Sequence, residues 1–332
     1  QLAGALRHLG LEPGDKIAVL SKNCAEWFIT DLALMHGGYI SVPIYPTANP
    51  DTIRYVLQHS GAKAIVLGKL DHWADQEAGV GGELWAVSDR DDDQIYRLNT
   101  ADQVWQAEAL HIDVPLVPDT GLPWGLRSRN WAASFVRGGD LDFEGISCDS
   151  AGNRYIVSEG HAAVLQVPVS GPVNWLKISP MMVREARASG MLLHFNAILE
   201  GLAINPAGDQ LWLAAERQSR GLLLIKRRQT VWDCDGRCVL LSEGGKEMQP
   251  PQFPKARAVD RDFSDLSLFN GKLFTLERNA FQICRRDAQT AKVERCWSYA
   301  AELLQANRRY SQNFGLEEAL IVDADGAWVG VD

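Results

Sequence analysis

The sequence predicts a mainly β protein, an incomplete β-propeller preceded by a small α/β fragment built on a parallel sheet. Three observations carry that prediction. A phrase recurs, as "DFEGISCDSAGNRYIVSEG", "LEGLAINPAGDQLWLAAE" and "GLEEALIVDADGAWVGVD", with a half-phrase "GGELWAVSDRD" near Gly81. The acids that close each copy, Asp89, Glu159, Glu216, Glu277 and Asp332, recur at intervals of roughly 55 to 70 residues, too long for a heptad and too short for a domain. Before residue 80 helices alternate with strands, and after it short Val/Leu/Tyr/Trp-rich runs alternate with Gly/Asp/Asn turns.

In chain order, "QLAGALRHLG" has apolar residues at helical spacing and ends on a C-cap glycine, and "DKIAVL" is a short buried strand. "CAEWFITDLALMHGG" is a second helix stopped by glycines, and "YISVPIY" a second strand. "NPDTIRYVLQHSG" is a helix with Asn49 as N-cap and Pro50 at its first position, followed by the strand "AKAIVLG". From Gly81 the unit is an inner strand, a turn on Asn/Asp-x-x-Gly and a second strand ending on an acid. Two helical insertions, "PMMVREARASGML" and "YAAELLQANRRY", interrupt it. The boundary therefore falls near 80, giving a fragment at 1–80 and a propeller at 81–332.

The chain has 332 residues, 46% of them hydrophobic, and a net charge of -9. That balance supports a sizeable core and leaves no basic footprint for nucleic acid or anionic membrane. No eighteen-residue apolar run and no signal-peptide pattern occur in the sequence. Of the six cysteines, Cys234 and Cys238 flank the turn "CDGRC", while Cys284 and Cys296 sit on two apolar runs joined by "RRDAQTAK". Either pair could bridge a hairpin, which implies an oxidising compartment, and free thiols are the alternative. A zinc site is the weaker reading, because no histidine stands at ligand spacing to either pair.

The run "GLEPGDKIAVLSKNCAEWFITDLALMHGGYISVPIYPTANPDTIRYVLQHSGAKAIV" resembles the amino-terminal portion of adenylate-forming acyl-CoA synthetases of the long-chain fatty-acid type. The resemblance implies a cytoplasmic scaffold that makes an acyl-adenylate and then a thioester. The phosphate loop that carries this chemistry has no counterpart in the sequence, so ligase activity is not expected. The phrases "GGELWAVSDRDDDQIYRL", "DFEGISCDSAGNRYIVSEG", "NAILEGLAINPAGDQLWLAAER", "DFSDLSLFNGKLFTLERN" and "NFGLEEALIVDADGAWVGVD" resemble the phytase-like family described as having esterase-like activity, propeller proteins often exported. This second resemblance implies hydrolysis of phosphate or other esters in an extracytoplasmic setting. Glu318 stands where the phrase has glycine after Glu317, and Asp265-Leu266 replaces Glu-Gly in the third copy.

An acid opens each copy as well: Glu144 pairs with Glu159, Glu200 with Glu216, Asp265 with Glu277 and Glu317 with Asp332. Radial repetition brings equivalent positions to one end of the ring. Glu144, Glu200 and Glu216 are the expected catalytic carboxylates. Arg90, Arg217 and Arg278, each directly after a closing acid, are the expected binders of an anionic group, and Asp89, Glu159 and Glu277 the expected ligands of a cation such as calcium. A structural ion-pair network is the competing reading. The expected activity is hydrolysis of a small anionic ester, with metal assistance, at the mouth of the channel. A non-catalytic ligand-binding propeller and a remnant synthetase are the alternatives. In complete copies the opening acid lies 12 to 16 residues before the closing one, and for Asp89 that stretch, "WADQE", belongs to the synthetase-like pattern, which predicts a first blade without its inner strand and two truncated pieces joined.

Overall fold

A computed structural model of the chain describes residues 2–21, 25–45, 48, 50–67, 76–80, 83–101, 104–137, 139–195, 197–253, 255–305, 317–324 and 326–331. It divides into two compact units, Gln1–Trp73 and Ala74–Asp332.

In the first unit the apolar runs form the predicted alternation: α1 (Leu2–His8), β1 (Lys16–Leu20), α2 (Ala25–Gly37), β2 (Ile40–Ile44), α3 (Pro50–Ser60) and β3 (Ala64–Leu67). The three strands are parallel in the order β2-β1-β3. β1 is central and covered on both faces, which explains its unbroken apolar run. Ile17 and Val19 pack with Leu6, Leu34 and Tyr39, while Ala18 and Leu20 pack with Ile44, Ile53, Val56 and Leu57. Phe28, Ile29, Leu32 and Met35 of α2 are more than half exposed. The predicted N-cap Asn49 lies outside the described residues.

The second unit is a ring of antiparallel sheets. Blade 1 comprises β4 (Gln76–Val80), β5 (Glu83–Val87), β6 (Gln94–Ala101) and β7 (Val104–His111), followed by α4 (Trp124–Arg137). Blade 2 comprises β8 (Phe143–Cys148), β9 (Arg154–Ser158), β10 (Ala163–Val167) and β11 (Asn174–Trp175), followed by α5 (Met181–Ala188). Blade 3 holds β12 (Leu199–Ile204), β13 (Gln210–Ala215), β14 (Ser219–Arg228), β15 (Val231–Asp233) and β16 (Val239–Gly244), the last two both pairing β14. The hairpin β17 (Lys246–Met248) and β18 (Ala258–Asp260) leads to blade 4, which holds β19 (Asp265–Phe269), β20 (Lys272–Glu277), β21 (Gln282–Asp287) and β22 (Val293–Ser298). After α6 (Ala300–Leu303), β23 (Glu317–Val322) and β24 (Ala327–Val331) form a two-stranded fifth sheet.

The first strands of the five sheets neighbour one another in a closed circle: β4 lies against β8, β8 against β12, β12 against β19, β19 against β23, and β23 against β4. The strands that start at the recurring acids are therefore innermost, as the phrase predicted. β4 corrects the expectation for blade 1, because "QEAGV" supplies the inner strand that the opening-acid pattern could not locate. The core lies between sheets: Phe143, Ile146 and Ile156 pack with Trp85 and Ile95, Leu202 and Leu213 with Tyr155 and Val157, and Leu266 and Leu273 with Trp212 and Leu222. α4 is an element that the sequence reading missed. Among its described side chains it buries Leu126 and Asn130, with Trp124 and Trp131 exposed. Both cysteine pairs are joined as disulfides, Cys234 to Cys238 and Cys284 to Cys296.

Candidate carboxylate site

Two of the four opening acids, Glu144 and Glu200, stand on β-bulges, as does Glu318 beside Glu317, whereas Asp265 pairs in register with Leu276. On β8 the ladder jumps from Phe143 to Gly145, on β12 from Leu199 to Gly201 and on β23 from Glu317 to Ala319, which leaves Glu144, Glu200 and Glu318 as the extra residues. A bulged residue leaves the alternation of the strand and re-aims its side chain. The register also settles an alignment: Leu320 pairs Val329 as Leu202 pairs Leu213, so Glu318, not Glu317, is the equivalent of Glu200. The glycine after the acid has a packing cause. A Cβ on Gly201 would sit 2.6 Å from Asp265 Cα, and one on Gly145 would sit 3.0 Å from the Glu200 carbonyl oxygen.

Two groups of carboxylates result. Asp142, Glu144 and Glu159 each offer an oxygen within 4.8 Å of the others, and Glu159, Glu200 and Glu216 do the same, so Glu159 belongs to both. Backbone contacts fix the shared acid: Glu159 N–H donates to the Asp142 carbonyl oxygen at 2.9 Å, and Ile198 N–H donates to Glu159 Oε1 at 2.8 Å. Burial pushes Glu144 and Glu159 well above the usual carboxylate range, and neighbouring acids, Glu200 and Asp142 foremost, add to the rise. Burial also raises Glu200, an effect that Arg278 partly offsets, and it takes Glu216 up to about 10 with help from Glu200.

Arg278 is the cation of the second group. Its Nη2 donates to Glu216 at 2.7 Å, its Nε to Asp262 at 2.7 Å and its Nη1 to Glu318, and Glu200 lies 4.0 Å away. Although burial disfavours its charge, the surrounding carboxylates hold it well above its ordinary pKa. Arg217, partly exposed, reaches Glu216 Oε1 at 2.8 Å.

The structure thus brings Glu144, Glu159, Glu200 and Glu216 together with Arg217 and Arg278. It does not bring in the other three predicted residues. Glu277 is held elsewhere: Oε1 accepts from Arg286 at 2.8 Å and Thr275 at 3.2 Å, and Oε2 accepts from Gln282 at 2.9 Å and lies 3.1 Å from Arg220 Nη1. Burial would raise its pKa, but Arg220 and Arg286 outweigh that and hold it below the usual value. This saturation removes it as a cation ligand. Asp89 and Arg90 lie 3.6 Å apart on a partly exposed turn, and neither carboxylate group includes Asp89. Arg278, expected to bind an anion, is instead engaged by the protein's own acids. Asp332 lies outside the described residues.

Sequence reasoning missed Asp142, Asp262 and Glu318. Asp142 is 1% exposed and Asp262 likewise, and each stands before a phenylalanine that leads into an inner strand, in "DFEG" and "DFSD". That shared Asp-Phe pair was the available signal.

Comparison with known proteins gives two family matches. Residues 1–122 match the AMP-binding enzyme family, and residues 74–232 match the phytase-like family, described as esterase-like activity of phytase. The described residues of the overlap, 74–122, hold blade 1 and the segment after it. The first part is 34% identical over 79 residues to a long-chain-fatty-acid-CoA ligase of Mycobacterium bovis, covering 24% of this chain and 13% of that protein. It is 39% identical over 65 residues to fatty acyl-CoA synthetase A of Dictyostelium discoideum, covering 20% and 10%. The chain thus spans a small part of the curated relatives it matches. Among solved structures, virginiamycin B lyase of Staphylococcus aureus aligns over 78% of this chain and 64% of its own, at TM-score 0.37 and 11% identity. AztD of Citrobacter koseri aligns over 69% and 47%, at TM-score 0.32 and 9% identity.

Proposed function

We propose that the second unit hydrolyses a small anionic ester, a phosphate or another ester, at the carboxylate site, with the help of a hard divalent cation such as calcium. One observation carries this reading: buried carboxylates are packed against one another in excess of the arginines that face them. The charges acting most strongly on Glu144 are all acids, namely Glu200, Asp142, Glu159 and Glu318. An all-oxygen donor set of this kind suits calcium. Asp142, Glu144 and Glu159 would hold the cation, which would polarise the ester oxygen and offset charge developing on it.

The remaining residues divide the proton work. Glu216, raised to about 10, keeps its proton at neutral pH, while Glu200, facing Arg278, is the carboxylate that takes a proton from the attacking water. Glu216 then supplies a proton to the departing alcohol. Arg217, at the partly exposed rim, binds the anionic group. The match to the phytase-like family over 74–232 supports ester chemistry in general terms.

Assays with p-nitrophenyl phosphate and p-nitrophenyl acetate, with and without calcium, test the proposal. Glu200→Gln is expected to lower kcat by about 100-fold or more with the fold retained, and Arg217→Ala to raise KM with a smaller effect on kcat. Full activity in Glu200→Gln would remove the site from the chemistry. The satisfied clamp around Arg278 favours one second reading, a non-catalytic propeller that binds a ligand at the same place. That reading predicts calcium-dependent binding of phosphate without turnover of either ester.

A further inference from the structure

We propose that the Cys234–Cys238 turn and Glu185 form a thiol-dependent site for a zinc-type divalent cation, closed while the cysteines are joined and opened by reduction. The site uses none of the residues of the carboxylate group and does not rest on its reading.

The turn lies between β15 and β16, where Gly236, at φ +81°, permits the reversal that brings the two cysteine Cα atoms to 4.7 Å. Contacts that do not involve sulfur hold it there. Cys234 N–H donates to Asp233 Oδ1 at 2.9 Å, Arg237 Nε donates to the Val239 carbonyl oxygen at 2.7 Å, and Leu224 N–H donates to the Cys238 carbonyl oxygen at 2.8 Å. Asp235 pairs with Lys226 at 3.3 Å and also with Arg228. Reduction therefore leaves a preorganised dithiol.

The third donor comes from α5. Met182, Val183 and Ala186 of that helix are buried in the core between blades 2 and 3, which fixes the turn carrying Glu185. Glu185 Oε2 accepts the Cys238 N–H at 2.7 Å. One Glu185 oxygen and both sulfur atoms lie within 4.8 Å of one another. A tetrahedral zinc with bonds of about 2.3 Å to sulfur and about 2.0 Å to oxygen needs donor separations of roughly 3.5 to 3.8 Å, within reach of side-chain rotation. Two thiolates select a soft or borderline cation over calcium, and water completes the set. The other disulfide lacks this arrangement. Cys284 and Cys296 face each other across β21 and β22, and among the described residues no group of potential ligands includes them.

Opening the site takes two equivalents of a thiol. Exchange cleaves the S–S bond, each cysteine sulfur gains an electron and a proton, and the reductant leaves as its own disulfide. Zinc binding then releases the two sulfur protons to solvent.

The whole chain, reduced with dithiothreitol and freed of it anaerobically, is titrated with zinc against a chromophoric chelator, beside the oxidised chain. The reduced protein is expected to bind one zinc more than the oxidised protein. Substituting cobalt should give thiolate-to-cobalt charge-transfer absorption with tetrahedral bands. Cys234→Ser should abolish the extra zinc, Glu185→Gln should weaken it at least tenfold, and the double variant Cys284→Ser, Cys296→Ser should leave it intact. Equal zinc binding by reduced and oxidised chains would overturn the proposal, as would extra zinc retained by Cys234→Ser. Unchanged affinity in a folded Glu185→Gln protein would also overturn the three-donor site. If Cys234→Ser does not fold, thiol alkylation of the reduced wild type replaces it and must remove the same zinc.

Discussion

Arg278 decides how the carboxylate site stays folded. Its side chain is nearly inaccessible and faces Glu200 and Glu216 of blade 3, Asp262 and Glu318. Removing one partner of a buried ion pair leaves uncompensated charge, so Arg278→Met is expected to destabilise the protein by about 3–5 kcal/mol in urea unfolding. Arg278→Lys, which keeps the charge but loses the fork of donors, should cost less. A pH effect follows from Glu216. Its folded pKa of about 10 lies above that of an unfolded glutamate, so the proton it keeps stabilises the fold fully in acid, and that stability is lost as pH rises toward 10. The metal-free protein should therefore show a Tm that falls with rising pH above about 4.5. Calcium should raise Tm by an amount that grows with pH, because Glu144 and Glu159, which burial also raises well above the usual carboxylate range, exchange their protons for the cation. A calcium effect that shrinks as pH rises would contradict the cation's placement among these acids.

At the scale of the element, the bulge and the glycine beside it let neighbouring inner strands approach. Gly201→Ala places a Cβ 2.6 Å from the backbone of Asp265, so β12 and β19 must separate. An expected loss of about 1–3 kcal/mol, read from thermal unfolding, checks this. Gly145→Ala meets its neighbour at 3.0 Å and should cost less. The repeated phrase makes four inner strands legible, because an opening acid and a turn on Asx and Gly ahead of an apolar second strand are local features, although the third copy has Leu266 after its acid and turns on Asn270-Gly271. What it could not give is register. Glu317 comes first in "LEEAL" and so reads as the opening acid, yet the pairing of Leu320 with Val329 puts Glu318 on the bulge. Glu277 was legible as a closing acid but not as an occupied one, because Arg220 reaches it from a strand of the neighbouring blade. β4 is not legible in the sequence, because "QEAGV" has no alternation of apolar and polar residues to announce a strand.

At the scale of the molecule, two architectures follow one another along the chain. The α2 face that exposes Phe28, Leu32 and Met35 makes the first unit the less protected of the two. Limited proteolysis should cut within residues 1–73 before it cuts the blades, and early cleavage inside β12 or β19 would contradict that order. The alternation that marks the first unit and the repeat that marks the second are both readable from sequence, since each depends on period rather than on distant partners. The ring has one more property. Every blade is laced by its own ladder and, among the described residues, no ladder joins the inner strands of neighbouring blades, but β4 and β23 alone of those neighbours meet from opposite ends of the second unit. This seam is a latch, and tension decides its fate. Pulled in an optical trap by handles attached at Glu83 and Val331, the unit should part at the latch at low force. The blades should then unravel as separate, stronger events, a staircase of extensions in place of one rip.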